Sequence, residues 1–194
     1  MNKKMILLIL VLAMVLLFGG ASALYTRLGQ EMEAEQLAVA QTQPPEETSG
    51  TEPAKVAAPD FTVYDREGNE VRLSDYFGKP IVLNFWASWC GPCQMEMPDF
   101  DEKYQELGDE IHFLMINMTD GARETVDSAA AFIEEKGYTF PVFYDTASIA
   151  AYTYGAYSLP TTFFIDAEGN AIAQATGAIS GETLQRGIDM IYKP

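Results

Sequence analysis

The two cysteines of the chain lie three positions apart, in the sequence Cys90-Gly91-Pro92-Cys93. A short apolar run, Ile81 to Trp86, precedes them and has the composition of a strand buried on both faces. Pro92 suits the first turn of a helix, where its missing N–H costs no hydrogen bond. A thiol at a helix N-terminus lies near unpaired N–H groups, which lower its pKa from about 8.5 towards 7. The spacing therefore predicts a dithiol that forms and breaks a disulfide reversibly.

Three other interpretations of the cysteine pair are weaker. A structural zinc site needs about four nitrogen or sulfur ligands, and the chain has two cysteines and one histidine, His112. A purely structural disulfide gains most when it closes a long loop, and this one would close a very short loop. A chance pairing is disfavoured by the strand before the cysteines and the helix after them. We therefore predict neither a metal nor a bound cofactor, and interpret the pair as a redox centre.

Residues 1–29 predict a membrane segment. Lys3 and Lys4 precede an apolar run from Met5 to Phe18, and no further charge occurs before Arg27. An uncharged run of this length can span a bilayer, with the lysines on the cytoplasmic side. A signal peptide cleaved after Ala23 is the alternative, because small residues precede that position. We expect a retained anchor in the cell membrane, and both versions place the rest of the chain outside the cytoplasm.

Residues 30–58 predict a flexible acidic linker, and residues 59–194 the folded domain. The linker is rich in Glu, Gln, Thr, Ala and Pro, and offers little apolar surface after Val39. Its first part, Gln30 to Val39, fits a short helix that leaves the membrane. The chain has a formal net charge of −16 and no basic cluster in the folded domain. This charge excludes nucleic acid as a partner.

The domain predicts an α/β fold. Two hairpins with similar Asp-x-Glu-Gly-Asn turns, at Phe61 to Leu73 and Thr162 to Ala173, lie near its two ends. Between and after them, strands are expected at Ile111 to Met118 and Val142 to Tyr144, and helices from the cysteines to Leu107, at Arg123 to Lys136, at Ala147 to Tyr154 and at Gly181 to Tyr192. This alternation indicates a central sheet covered by helices on both faces.

Two segments carry a resemblance to a known family. Residues 85–93, Phe-Trp-Ala-Ser-Trp-Cys-Gly-Pro-Cys, and residues 159–163, Leu-Pro-Thr-Thr-Phe, resemble the thioredoxin superfamily. More closely, residues 59–194 resemble the membrane-tethered thiol–disulfide oxidoreductases of the TlpA/ResA kind, which have a redoxin domain similar to AhpC/TSA. The resemblance implies a thioredoxin-like fold, with a mixed sheet, an N-terminal β-hairpin and an inserted helix-strand unit at residues 120–145.

The resemblance also implies roles for individual residues. Cys90 would be the exposed nucleophile that attacks a client disulfide, and Cys93 the less exposed thiol that resolves the mixed disulfide. Pro160 would be a cis-proline facing the cysteines. Glu96 follows Cys93 by one helical turn and is expected to be its general base, with a plain surface glutamate as the alternative. The other expected substrate contacts are Trp89, Gly91, Pro92, the backbone of Leu159, and Thr161.

Several residues outside this set also have an interpretation from the sequence. Asn84 stands where plain thioredoxins carry a buried Asp, and an amide cannot take a proton from Cys93. Trp86 and His112 are expected to be structural. Three tyrosines before Pro160 are candidates for lining a substrate groove, with core or surface packing as the alternative: Tyr152, Tyr154 and Tyr157.

The resemblance implies an extracytoplasmic thiol–disulfide oxidoreductase that reduces secreted or membrane proteins, such as apocytochrome c. It would act as a monomer and receive electrons from a membrane carrier of the CcdA/DsbD type. A thiol peroxidase is the second interpretation, but Ala87 and Leu83 stand where peroxiredoxins have Thr and Pro. A tethered binding module whose disulfide never cycles is the third.

Overall fold

The computed structural model describes residues 37–39 and 55–193 of the 194-residue chain. The strands are β1 (Leu37–Val39), β2 (Val56–Ala57), β3 (Thr62–Tyr64), β4 (Glu70–Arg72), β5 (Ile81–Trp86), β6 (His112–Asn117), β7 (Val142–Tyr144), β8 (Thr161–Ile165) and β9 (Asn170–Thr176). The helices are α1 (Gly91–Leu107), α2 (Val126–Lys136), α3 (Ile149–Tyr154) and α4 (Gly181–Ile191), and a 3₁₀ helix spans Leu73–Tyr76.

The strands form one mixed sheet in the order β1-β9-β8-β5-β6-β7-β3-β4, and β2 also pairs with β9. β5, β6 and β7 are parallel, whereas β8 is antiparallel to β5 and β9 is antiparallel to β8. The inserted helix-strand unit is α2 followed by β7. The predicted thioredoxin-like α/β fold is therefore confirmed.

β5 lies in the middle of the sheet and is buried along its whole length. Its side chains alternate between two cores. Val82 and Trp86 pack on one face with α1, α2 and α4, while Leu83 and Phe85 pack on the other with α3 and the opening hairpin. Because β5 is covered on both faces, its C-terminal end delivers the cysteine pair from a rigid position.

Both predicted hairpins are present and use the same turn. Asp65 accepts the backbone N–H of Asn69 in the first, and Asp166 accepts that of Asn170 in the second, each at 2.8 Å. The glycine before each Asn has a positive φ, which a side chain disfavours. The shared recipe is thus local turn chemistry.

Two differences from the predicted secondary structure have clear physical causes. Helix α2 begins at Val126 and not at Arg123, because Thr125 caps it by accepting the N–H of Ser128 at 3.0 Å. The helix expected over Gln30 to Val39 is wrong at Leu37–Val39, which forms β1 and pairs with β9. Together with β2, this strand shows that part of the stretch expected to be a linker belongs to the sheet.

The membrane anchor expected at residues 1–29 lies outside the described residues. Among the residues that the structure does describe, no helix has both the length and the apolar character that crossing a bilayer requires.

Candidate active site

The cysteine pair lies at the N-terminus of α1, directly after the turn that follows β5. Cys90 is the N-cap residue of the helix, and the two sulfurs form a disulfide. The Cys93 backbone N–H donates to Cys90 Sγ at 3.2 Å. The same N–H and the positive end of the helix dipole favour a thiolate at Cys90 once the disulfide is reduced.

The two cysteines differ in their access to solvent. Cys90 is 4% exposed and lines a groove, whereas Cys93 is 0% exposed and belongs to the core. The expected order is present, but the prediction that Cys90 is exposed is wrong, since Cys90 lies at the helix N-cap with its sulfur bonded to the buried Cys93. An attacking group therefore reaches Cys90 through the groove.

The loop before β8 lies opposite the cysteine turn. Thr161 pairs with Phe85 across β8 and β5, which places Leu159 and Pro160 beside the end of β5. The Leu159–Pro160 peptide bond is cis, and Leu159 lines the groove. Thr161 does not line it, since its side chain is buried and its hydroxyl donates to the Ser158 carbonyl at 2.6 Å. The structure thus does not place the Thr161 side chain as a substrate contact.

The groove has a volume of about 970 Å³ and runs between the cysteine turn and α3. Trp89, at 42% exposure, forms part of one wall, together with Gly91 and Pro92. Tyr152 and Tyr157 line the α3 side and are more than three quarters exposed. Tyr154 is instead a core residue, packed edge-on against Phe61 and Phe163. Two of the three candidate tyrosines therefore lie in the groove.

Arg123 lies in the groove wall, and sequence reasoning missed it. Its guanidinium carbon is 3.6 Å from the centre of the Trp89 ring, a distance at which a cation is attracted by the face of the ring. Arg123 is 34 positions away from Trp89 in sequence, and no local pattern connects the two. A predicted helix over this segment gave it no separate role.

Glu124, the next residue, is a second group that sequence reasoning missed. Its carboxylate is fully buried and accepts three hydrogen bonds, from Ser88 N at 3.1 Å, Ser88 Oγ at 2.7 Å and Asn117 Nδ2 at 2.9 Å. Ser88 comes two positions before Cys90. Through these hydrogen bonds, Glu124 links the loop after β6 to the turn that carries the cysteines.

Glu96 lies in the core and not on the surface, so the alternative of a plain surface glutamate is wrong. It is 2% exposed, and burial raises its pKa from 4.5 to about 7, partly offset by hydrogen bonds from the Ile179 N–H at 2.9 Å and Asn84 Nδ2 at 2.8 Å. Within the described part of the chain, no hydrogen bond joins Glu96 to either cysteine of the disulfide.

Asn84 links Glu96 to the strand that follows the cis-proline. Its Nδ2 also donates to Thr162 Oγ1 at 3.0 Å, while its Oδ1 is buried without a hydrogen-bond partner among the described residues. Asn84 thus lies against the buried carboxylate, on the same face of β5 as Val82 and Trp86.

Across residues 37–39 and 55–193, no three His, Cys, Asp or Glu side chains are arranged to hold a metal ion. His112 packs edge-on against Tyr76, with ring centres 5.1 Å apart. It begins β6 beside Ile81, at the end of β5 opposite the cysteines.

Fold and site together define a class of protein. A Cys-Gly-Pro-Cys disulfide at the start of a helix, after a central strand and opposite a cis-proline loop, is the arrangement of a thioredoxin-like thiol–disulfide oxidoreductase. Comparison with known proteins gives the family. Residues 54–174 match the model of the AhpC/TSA family. The chain therefore belongs to the AhpC/TSA family, in the ResA-like branch of the thioredoxin superfamily.

Individual relatives agree with this assignment. The thiol-disulfide oxidoreductase ResA of Geobacillus thermodenitrificans is 40% identical over 137 residues, which cover 69% of this chain and 75% of that protein. The solved structure of a DsbF homologue from Corynebacterium diphtheriae has a TM-score of 0.64 at 27% identity, covering 78% of this chain and 99% of that one. The exposed lipoprotein thioredoxin Etrx1 of Streptococcus pneumoniae has a TM-score of 0.57 at 34% identity, covering 68% and 98%.

Proposed function

We propose that this thiol–disulfide oxidoreductase works outside the cytoplasm, where it reduces disulfides in secreted or membrane proteins such as apocytochrome c. One observation carries the proposal: the Cys90–Cys93 disulfide borders a groove of about 970 Å³ whose walls carry exposed aromatic side chains. Aromatic side chains offer a large contact area to an extended polypeptide at little entropic cost. A groove of this kind supports protein clients rather than a small oxidant.

The direction of electron flow rests on the residues between the cysteines. Gly91 and Pro92 are the pair found in thioredoxin, whose reduction potential is about −270 mV, against about −120 mV for the oxidant DsbA. A dithiol with a reduction potential of about −270 mV can reduce disulfides of higher potential, which are the strained or exposed ones. This supports a reductant over an oxidase or isomerase.

The reaction takes two exchanges of sulfur partners. The Cys90 thiolate attacks one client sulfur, so that a mixed disulfide forms, the client bond breaks and the released client thiolate takes a proton from solvent. Cys93 then gives its proton to Glu96 and attacks Cys90 Sγ, which forms the Cys90–Cys93 bond and releases the second client sulfur as a thiolate that takes up a proton. Two electrons pass to the client. A second dithiol must return them, and we propose a membrane carrier of the CcdA/DsbD type.

Each site residue has a role in these steps. The helix N-terminus and the Cys93 N–H favour the Cys90 thiolate. Glu96 lies one helical turn after Cys93 and accepts its proton directly or through one water, a role that its pKa of about 7 suits near neutrality. Pro160 holds the loop in which the Leu159 backbone pairs with the client, while Trp89, Gly91 and Pro92 contact it.

The proposed location follows from the N-terminal sequence. Residues 1–29 anchor the chain in the cell membrane, and residues between the anchor and the domain let a monomer reach clients near the membrane surface. Cleavage after Ala23 would release the same domain as a secreted protein.

Trapping of client proteins tests the function directly. In Cys93→Ser, the mixed disulfide at Cys90 cannot be resolved, so we expect secreted or membrane proteins with cysteine pairs to stay covalently bound. They should be released by dithiothreitol and absent from the Cys90→Ser/Cys93→Ser control, as judged by mass spectrometry of the captured material. Capture of glutathione alone, or rapid consumption of peroxide by the wild type, would contradict the proposal and favour a thiol peroxidase.

A redox titration separates a cycling disulfide from a static one. We expect the Cys90–Cys93 pair to titrate near the potential of thioredoxin in dithiothreitol buffers. A disulfide that stays closed throughout would support a binding module, and a midpoint near −120 mV would support an oxidase.

A further inference from the structure

The groove wall beside Cys90 contains a stacked pair of side chains, Arg123 on Trp89. The guanidinium carbon lies 3.6 Å from the ring centre, so one face of the planar group is covered by the indole. The edges of a stacked guanidinium carry its five N–H donors and remain open. Both residues line the same groove as Cys90.

The stacked arginine is held in place by its neighbours. Asp120 Oδ1 accepts the backbone N–H groups of Ala122, Arg123 and Glu124 at 2.7–2.9 Å, which folds the loop into a tight turn. The buried Glu124 carboxylate then binds Ser88, the residue next to Trp89. The loop after β6 is thus joined to the turn that carries the cysteines by two contacts, Glu124 with Ser88 and Arg123 with Trp89.

Charge is sparse along the groove. Among its described lining residues, the charged side chains are Asp120 and Arg123, and most of the others are apolar or aromatic. Asp120 already uses one carboxylate oxygen on three backbone N–H groups. Within residues 37–39 and 55–193, no hydrogen bond or ion pair joins the Arg123 guanidinium to an acceptor of the chain; its contact is the Trp89 ring. Asp120 is close enough to interact electrostatically with Arg123, but among the described residues it forms no hydrogen bond or ion pair with the guanidinium, which keeps its N–H donors for a ligand.

The shape of this group indicates its ligand. A guanidinium edge matches the two oxygens of a carboxylate, and apolar surroundings screen such a pair less than open water does. We propose that Arg123 is a specificity-determining residue, which binds an Asp or Glu side chain of the client close to the cysteine that Cys90 attacks. The inference rests on the proposed reductase function and names the kind of client segment: extended, partly aromatic or apolar, and acidic beside its cysteine.

Matched peptides test the recognition. Two disulfide peptides differ by one residue next to the attacked cysteine, Glu in one and Gln in the other, and the reduced full-length protein is mixed with increasing concentrations of each in single-turnover measurements, which need no second reductant. We expect kcat/KM to be about fivefold higher for the Glu peptide, which corresponds to about 1 kcal/mol and is typical of a partly exposed ion pair. The preference should appear mainly in KM, because the contact forms on binding, and should shrink in 1 M salt.

Arginine variants assign the preference to one residue. Arg123→Gln is expected to reduce the Glu/Gln ratio to about one, and Arg123→Lys to keep part of it, since Lys retains the charge and loses the fork. Arg66→Gln is the control, because it changes the net charge equally and Arg66 pairs with Glu134 outside the groove. This control should keep the fivefold ratio.

The possible outcomes distinguish a failure of the proposed Arg123 role from a failure of the proposed reductase function. Equal rates of the wild type on the two peptides, or a ratio that survives Arg123→Gln, would overturn the role of Arg123 and leave the reductase intact. If the wild type reduces neither peptide while thioredoxin reduces both, the proposed reductase function itself is wrong.

Discussion

Glu96 keeps a carboxyl group in a part of the core that little water reaches. Burial raises its pKa to about 7, although the Ile179 N–H and Asn84 Nδ2 both favour the charged form. When Glu96 is protonated, its hydroxyl can donate to Asn84 Oδ1 if the amide turns over, and that oxygen has no other partner among the described residues. The charged form thus keeps both hydrogen bonds, whereas the neutral form gains this bond only if Asn84 Nδ2 gives up its bonds to Glu96 and Thr162.

The titration of Glu96 should make the free energy of unfolding depend on pH. The pKa of Glu96 is raised on folding from 4.5 to about 7, so the folded state binds its proton more tightly. The free energy of unfolding therefore falls as the pH rises through this interval, by up to about 3 kcal/mol, and the loss is complete above pH 7. The Glu96→Gln variant has no titratable group at this position, so its free energy of unfolding should not show this decrease. Urea unfolding of both oxidised proteins at pH 5 and pH 8 measures it.

Comparison with the variant isolates Glu96 from the other carboxyls. Hydrogen bonds lower the pKa of Asp65 and of Asp120, which gives the opposite dependence at lower pH and is common to both proteins. Parallel pH profiles for the wild type and Glu96→Gln would show that Glu96 does not titrate in this range.

The kinetic role of Glu96 gives a separate prediction. Loss of a general base typically slows a proton transfer by 10²–10⁴-fold, so Glu96→Gln should slow resolution of the mixed disulfide by about 10²-fold. Attack by Cys90 should change little, because the helix N-terminus is unaltered. Single-turnover quenching at pH 6–8 resolves the two steps. Glu102→Gln, on the exposed face of α1, is the matched control and should resolve at the wild-type rate.

The sequence predicts one part of the site well and another not at all. Cys90, Cys93 and the cis bond before Pro160 belong to short motifs whose chemistry is visible locally. The burial of Glu96 depends on Ile179, 83 positions away, and the stacking of Arg123 on Trp89 depends on a contact between two loops. Such contacts follow from the packing of distant segments, which residue spacing does not encode.

At the scale of elements, α4 approaches the sheet closely because of a missing side chain. A Cβ added to Gly187 would lie 2.2 Å from Cζ of Phe164, whose ring is fully buried. Glycine lowers the helix propensity by about 1 kcal/mol relative to alanine, and the close packing of α4 on β8 accounts for its presence here.

Replacement of this glycine should therefore destabilise the protein. Gly187→Ala is expected to lower the free energy of unfolding by about 1–3 kcal/mol through overpacking, less the gain in helix propensity. In a Phe164→Leu background the ring is gone, and the same change should be neutral or stabilising. Chemical denaturation of the four proteins gives the coupling energy. Additive effects would mean that α4 does not press on Phe164.

Element boundaries follow the same division between local and distant causes. Gly137 ends α2 as expected, with φ 72° at the C-cap. The sequence predicts the start of α2 three residues too early, because Asp120 folds residues 122–124 into a turn by accepting their N–H groups. A helical composition does not reveal a competing side-chain cap, and the cap decides where the helix begins.

At the scale of the whole molecule, the N-terminal side of the domain closes one end of the sheet. β1 and β2 both pair with β9, and the Ala58 N–H donates to the Gly169 carbonyl at 2.8 Å. Lys55 adds an ion pair with Asp166 at 2.9 Å. The polar, proline-rich composition predicts a linker through residue 58. It does not reveal β1 and β2, because two- and three-residue strands have no periodicity of their own and form by pairing with β9.

Truncation tests where the folded domain begins. A chain that starts at Lys55 keeps β2, whereas one that starts at Pro59 loses β2, the hydrogen bond of Ala58 and the ion pair of Lys55. Each lost backbone hydrogen bond contributes about 1 kcal/mol, so the shorter chain should unfold at a lower guanidinium concentration. A chain that starts at Gln36 adds β1 and should be at least as stable as the one from Lys55. Peptide reduction should be equal in all three, because residues 55–58 do not line the groove. Equal unfolding midpoints would instead place the boundary at residue 59, and would mean that the strands paired with β9 contribute nothing to the stability of the sheet.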